Sequence, residues 1–254
     1  MAHRTPYIAN ISYLCTKMKR HLLIILAVCV ATTASAQVGK YRNDLAVGFN
    51  AGMVMNHVNF KPSVPQGMHT GMEMGISMRY TCEKFFSAVC ALQTEINFQQ
   101  LGWKEDITTS DDTYSRTMNY ISIPLLARLG WGRERKGFMG YIIAGPQIGF
   151  CIGETETKTG EWSDYTLSLR EGSKDQYDLK CQKKFAYGIT GGAGLEFSRP
   201  KIGHFTLEAR YNFGLSDIFN NSKRDHFQRS ANSTISVKLT YFYDVLKTKD
   251  KGIR

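Results

Sequence analysis

The residues best equipped for chemistry are three histidines, His57, His69 and His226, the last with Asp225 beside it. An imidazole next to a carboxylate is the working part of a general acid–base or nucleophilic site. The rest of such a site does not follow. No serine stands in a nucleophile motif, and no two histidines or cysteines have the H-x-x-H or C-x-x-C spacing of a metal centre. Solvated side chains in polar loops account for the histidines, so no catalytic residue, no metal and no cofactor is expected. Gly191, Gly192 and Gly194 resemble a phosphate-binding loop only in composition. They lie inside an alternating segment, where glycine allows curvature or room for a bulky neighbour.

A second group of ionisable residues is ordered by phase. In 203–215, Phe205, Leu207, Ala209, Tyr211, Phe213 and Leu215 form one face, and His204, Thr206, Glu208, Arg210, Asn212 and Gly214 the other. That is the two-residue period of a strand. The same alternation runs through 71–80, 86–98, 117–129, 184–197 and 232–243, whereas 45–54 alternates loosely and 138–151 has no clean division. Followed along these strands, it puts Glu73, Arg79, Glu95, Arg128, Glu196, Glu208, Arg210 and Lys238 on one face, four acids with four bases. Single desolvated charges are costly, so on an interior face these groups are expected to interlock as an ion-pair network.

The elements that must position them are eight strands whose connections run long, short, long, short, long, short, long. The short ones are 81–84, 130–137 and 198–202; 99–116, 152–183 and 216–231 are long and polar. Hairpins with short turns at one end and long loops at the other predict an all-β, eight-stranded, antiparallel up-and-down transmembrane β-barrel. A strand of about 10 residues at ~3.3 Å each, tilted about 40°, rises ~25 Å, the height of a lipid-facing band. Closure leaves no unpaired edge in lipid. An eight-stranded interior is only wide enough for side chains, which makes the polar face a plug. Pro124 lacks a ladder donor and predicts a bulge or weakened pairing. Tyr80, Phe85, Trp131, Phe197 and Phe205 near the short turns, and Phe98, Trp103, Phe150, Phe185 and Phe213 near the loops, suit two aromatic girdles. The alternative is a secreted soluble sandwich.

The amino-terminal segment points to the same compartment. Met18-Lys19-Arg20, the apolar run 22–30 and Ala34-Ser35-Ala36 match the charged, apolar and cleavage regions of a secretory signal. Residues 18–36 are therefore expected to be a signal peptide cut near Ala36, 1–17 an extension from a misplaced start, and 37–254 the barrel. The apolar run is shorter than the ~20 residues of a membrane-spanning helix. Cys29 follows Leu26-Ala27-Val28, in which Val28 stands where a lipidation signal wants a small residue. The first 36 residues hold four of the 32 Lys and Arg and no acid, leaving 28 bases against 22 acids, a net charge of +6. Lys and Arg form no run interleaved with aromatics, so nucleic acid is not an expected partner. Hydrophobic content of 43% argues against a helical membrane protein.

Cys151 and Cys181 bracket the longest connection at the ends of neighbouring strands, which makes them a candidate disulfide. Four free thiols, with Cys82 and Cys90, are the alternative. Cys82 and Cys90, read as eight residues apart along one extended arm, would be roughly 27 Å apart and unable to pair.

The segments GWKEDI at 102–107, YSRTMNYISIPLL at 114–126, AGPQIGF at 144–150, GGAGLEF at 191–197 and RSANSTISVKLTY at 229–241 resemble the outer-membrane β-barrel family of Bacteroidota, the porin-family or PorT-family proteins. The resemblance spans nearly the whole mature chain. It implies the barrel fold, the outer membrane, and a role accessory to protein secretion of the type IX kind or to surface assembly. The chain departs from the common terminal-aromatic pattern, since a charged tail follows Tyr243. The expected function is a non-enzymatic barrel in outer-membrane lipid that presents its loops to secretion or surface-assembly proteins. A narrow channel for small solutes is the alternative, and an enzyme acting at the rim a weaker one.

Overall fold

Strand alternation carries further along the chain in the structure than the apolar positions alone suggest. The computed structural model describes residues 40–248 apart from 86, 109, 169, 171–175, 178, 223 and 224. The signal peptide expected at 18–36 and the extension at 1–17 lie outside the described residues. In chain order the elements are β1 (Lys40–Lys61), β2 (Gln66–Gly67), β3 (His69–Phe85), β4 (Ala88–Glu105), β5 (Thr113–Gly132), β6 (Gly137–Thr159), α1 (Asp164–Ser168), β7 (Phe185–Arg199), β8 (Gly203–Asp217) and β9 (Arg229–Leu246). The sheet order is β4-β3-β1-β9-β8-β7-β6-β5, and β5 returns to β4, so the eight long strands close into a ring. The two-residue β2 pairs with the end of β4, Gln66 opposite Glu105.

Over the middle of the long strands one face is buried and the other is apolar and exposed. Along β8, Thr206, Glu208 and Arg210 are buried while Phe205, Leu207 and Tyr211 are exposed. The exposed face is an apolar belt that includes Phe49, Met53, Ile76, Ile96, Leu125, Ile142, Leu195 and Leu239. Soluble monomers rarely expose so extended an apolar face, and the pattern is that of a lipid-facing surface. The soluble sandwich is thereby displaced.

Pro124 weakens the sheet locally, because it offers no donor. The β4–β5 ladder passes from Asn97 opposite Ser122 to Thr94 opposite Leu125, and Pro124 falls in the gap. Several boundaries differ from the sequence reading. Strand β3 runs on through 81–84 to Phe85, which pairs with Ala88, so Cys82 and Cys90 sit on facing strands, with Cys90 opposite Glu83 beside a bulge. They are not 27 Å apart along one arm; both are free thiols. The connections 99–116 and 152–183 shorten to 106–112 and 160–184, because β5 and β6 continue as a paired ribbon from Thr113 opposite Thr159. Alternating Thr155, Thr157 and Thr159 favour that extension, as does the opposed pair Arg116 and Glu156. The faces of β6 separate cleanly, with Met139, Tyr141 and Ile143 buried against exposed Phe138, Ile142 and Ile148. Both of its faces are apolar, which hides the alternation.

Candidate functional site

The interior of the ring is layered. Along β4 the inward positions read Val89 and Ala91 toward the short-turn end, then Gln93, Glu95, Asn97 and Gln99, then Leu101 and Trp103 toward the long loops. The middle layer holds the eight ionisable residues of the inward phase. All are buried: Glu73, Arg79, Glu95, Arg128, Glu196, Glu208, Arg210 and Lys238.

They pair in two groups. Glu196 receives Arg79 at 2.5 Å and also Arg128. In the second group Arg210 reaches Glu95 at 2.6 Å and also Glu208, while Lys238 binds Glu95 and lies 3.5 Å from Glu73. Amides join the groups. The Gln93 amide nitrogen donates to Glu95 at 2.7 Å, and its oxygen accepts from Arg128 at 3.4 Å. Asn97 donates to Glu73 and Glu95, both at 2.8 Å. Tyr141 adds a second link, since its ring lies 3.4 Å from the Arg128 guanidinium carbon and its hydroxyl donates to Glu208 at 2.8 Å. Gly194 makes room for that ring: a Cβ there would stand 2.5 Å from the Tyr141 hydroxyl oxygen. Each carboxylate thus meets donors from two or more strands, the condition under which buried charge is tolerable.

Above this layer an apolar cap closes the long-loop end. Phe60, Trp103, Phe219 and Phe227 cluster with Val58, Val64, Leu101, Tyr114, Met118 and Tyr120. Phe60 meets Trp103 edge-on with centroids 5.1 Å apart and Phe227 at 5.0 Å. Trp103 is fully buried, so it belongs to the cap and not to the girdle, on the same side of β4 as Glu95. The loops are fastened onto it. The Trp103 indole donates to Gln176 at 2.7 Å, Tyr177 donates to Glu105 at 2.6 Å, and Arg170 pairs with Asp112. Arg116 pairs with Glu156 under the rings of Trp103 and Phe219. The cap lay outside the sequence reading, although Leu101, Trp103, Tyr114, Met118 and Tyr120 continue the inward phase of β4 and β5.

The remaining candidates are dispersed. His57 lies on the outer side of β1, His69 stands 3.3 Å from the Thr117 hydroxyl, and His226 meets Phe227 edge-on. Asp225 accepts from Ser222, which holds its carboxyl below the ordinary range. Cys151 and Cys181 are buried together in the cap and are not linked in this structure. Their contact pushes the Cys181 thiol up. Among the described residues no three His, Cys, Asp or Glu side chains form a metal-binding group.

At the short-turn end one arrangement has the residue types of a nucleophilic triad. Ser198 Oγ lies 2.7 Å from His204 Nδ1, and His204 Nε2 lies 3.0 Å from Asp244. Glu196 also approaches Nδ1, at 2.8 Å, and the Ser198 hydroxyl donates to Glu196 at 3.1 Å. A carboxylate at each ring nitrogen calls for an imidazolium, which has no lone pair to act as a base. Ser198 is buried as well. The arrangement suits a structural tie between β7, β8 and β9 better than a catalyst.

Comparison with known proteins bears on the fold. No curated protein matches the sequence. Among solved structures the chain is similar to the outer membrane enzyme PagL, with 13% identity over 78% of this chain and 99% of that one and a TM-score of 0.40. It is similar to the outer membrane protein OprG from Pseudomonas aeruginosa, with 10% identity over 81% and 98% and a TM-score of 0.46. Neisserial surface protein A shows 11% identity over 78% and 97%, with a TM-score of 0.40. Nothing about activity follows from these likenesses. The family model for the outer membrane protein beta-barrel domain matches residues 35–220, and the chain belongs to that family.

Proposed function

We propose that this protein is a non-enzymatic outer-membrane barrel that presents a rigid extracellular cap to partner proteins and does not pass solutes. The observation that carries the reading is the double closure of the lumen: buried ion pairs fill its middle, and the aromatic cap built on Trp103 fills its outer end. A plugged barrel is a poor channel but a stiff platform. Loops tied to it by Tyr177, Arg170 and Gln176 keep one shape, which lowers the ordering cost of binding a partner. The resemblance to PorT-family proteins of Bacteroidota makes secretion or surface-assembly proteins the partners of choice. Secretory export with cleavage near Ala36 and long loops facing outward complete the reading.

Cross-linking in intact outer membranes followed by mass spectrometry tests it. Links to partner proteins are expected to concentrate on 160–184 and 218–228 and to fall when exposed Tyr165 on α1 is changed to Glu. Links confined to the turns at 133–136 and 200–202 would contradict an outward-facing role.

A further inference from the structure

On the outside of the ring, just beyond the apolar belt, a crevice of about 370 Å³ opens between β1, the 62–65 connection and the ends of β8 and β9. Its polar lining is His57, Asn59, Lys61, Ser63, Gln66 and Arg229. Lys61 and Arg229 are direct cross-strand partners in the β1–β9 ladder. Like charges at opposed positions destabilise a sheet unless something negative stands between them. Among the described residues neither side chain has an ion pair within 4.0 Å. Asp217, opposite Ala231, is occupied, accepting from the Ser230 amide at 2.8 Å and from Asn221 at 2.9 Å.

The surroundings say what an anion held by these two cations would be attached to. The Arg229 guanidinium lies 5.8 Å from the centre of the exposed Phe213 ring, and Phe213 is followed along β8 by exposed Tyr211 toward the middle of the belt. The cations therefore stand at the outer edge of the lipid-facing surface, at the level of headgroups. A phosphate there can bind both cations through charge-assisted hydrogen bonds, and its acyl chains can run down the belt over Phe213, Tyr211 and Met53. A free anion would use only the first half of that arrangement.

We infer that this crevice binds the phosphate of a phosphorylated glycolipid of the outer leaflet, clamped between Lys61 and Arg229 with its lipid portion on the belt below Phe213. The site uses no residue of the lumen network, and its apolar lining, Val58, Phe60 and Val64, is shared with the cap.

The test uses the folded full barrel in detergent micelles, titrated with bisphosphorylated lipid A and followed by native mass spectrometry. Lipid A is expected to stay bound to the unaltered protein. Lys61→Gln with Arg229→Gln should weaken retention by roughly tenfold or more, at unchanged heat-modifiable gel mobility. Dephosphorylated lipid A should bind the unaltered protein as weakly as lipid A binds the double variant. Equal retention of lipid A by the double variant would overturn the assignment, and so would equal retention of the dephosphorylated lipid. Inorganic phosphate, as a third arm, should displace no lipid at matched concentration; full displacement would mark a free-anion site and refute the lipid reading.

Discussion

Arg210 sits between two carboxylates, Glu95 and Glu208, and so couples charges contributed by β4 and β8. Glu208→Ala leaves Arg210 with one partner fewer and frees the Tyr141 hydroxyl, in a buried layer. Breaking a buried pair costs about 3 to 5 kcal/mol. Glu208→Ala with Arg210→Ala removes one acid and one base together, and Lys238 still binds Glu95. The double variant is therefore expected to lose less stability than the sum of the single ones, by about 1 to 3 kcal/mol, in urea unfolding followed by gel mobility. Additive losses would show that the two residues act separately. A second residue, Tyr177, lies outside the strands, where burial and then Glu105 push its hydroxyl up to about 12. A group raised on folding contributes stability that is full below its ordinary value of 10.0 and is lost as pH rises through the folded value. The cap should thus become sensitive to protease between about pH 10 and 12, and Tyr177→Phe should remove that dependence. An unchanged alkaline profile in the variant would count against the Tyr177–Glu105 tie.

Within single strands, depth in the lipid decides the effect of a charge. Val237 lies mid-strand on the exposed face of β9, and Tyr243 near its short-turn end. Val237→Arg should cost about 2 to 4 kcal/mol, and Tyr243→Arg about 0 to 1. Equal losses from refolding into lipid vesicles would mean that the belt is misplaced. Between β6 and the 160–184 connection, Cys151 and Cys181 are expected to join in an oxidising compartment, contributing roughly 3 to 4 kcal/mol. Peptide mapping without reductant would then find them linked; alkylation of both would contradict this. Strand faces were legible in the sequence wherever lipid and lumen demand opposite polarity, as for Leu207 against Glu208 and Val237 against Lys238. They were not legible in β6, where Tyr141 and Ile143 are apolar and inward and Ile142 is apolar and outward. Strand ends were misread for a related reason. Beyond the lipid both faces are polar, so Thr155, Thr157 and Thr159 read as loop although they pair with β5. Trp103 suited a girdle by type, and only its phase with Glu95 and Gln99 marks it as inward.

Over the described residues the chain is a closed ring of eight strands with two successive plugs, the buried charge layer and the apolar cap, and an apolar belt outside. The cap anchors the loop end: Phe219 and Phe227 pack onto Phe60, and Phe219 onto Trp103, each a buried aromatic. Their layout was invisible in the sequence because loop aromatics have no period to read; their partners come from β1 and β4, far away along the chain. The lumen charges and the cap together make the central claim, that the barrel is occluded. Planar-bilayer recording on the purified, refolded protein tests it most directly. A doubly plugged barrel should show no steady conductance above the bare bilayer at neutral pH, and transient openings should grow on Trp103→Ala with Glu208→Ala; a steady conductance from the unaltered protein, comparable to that of a large porin, would contradict it.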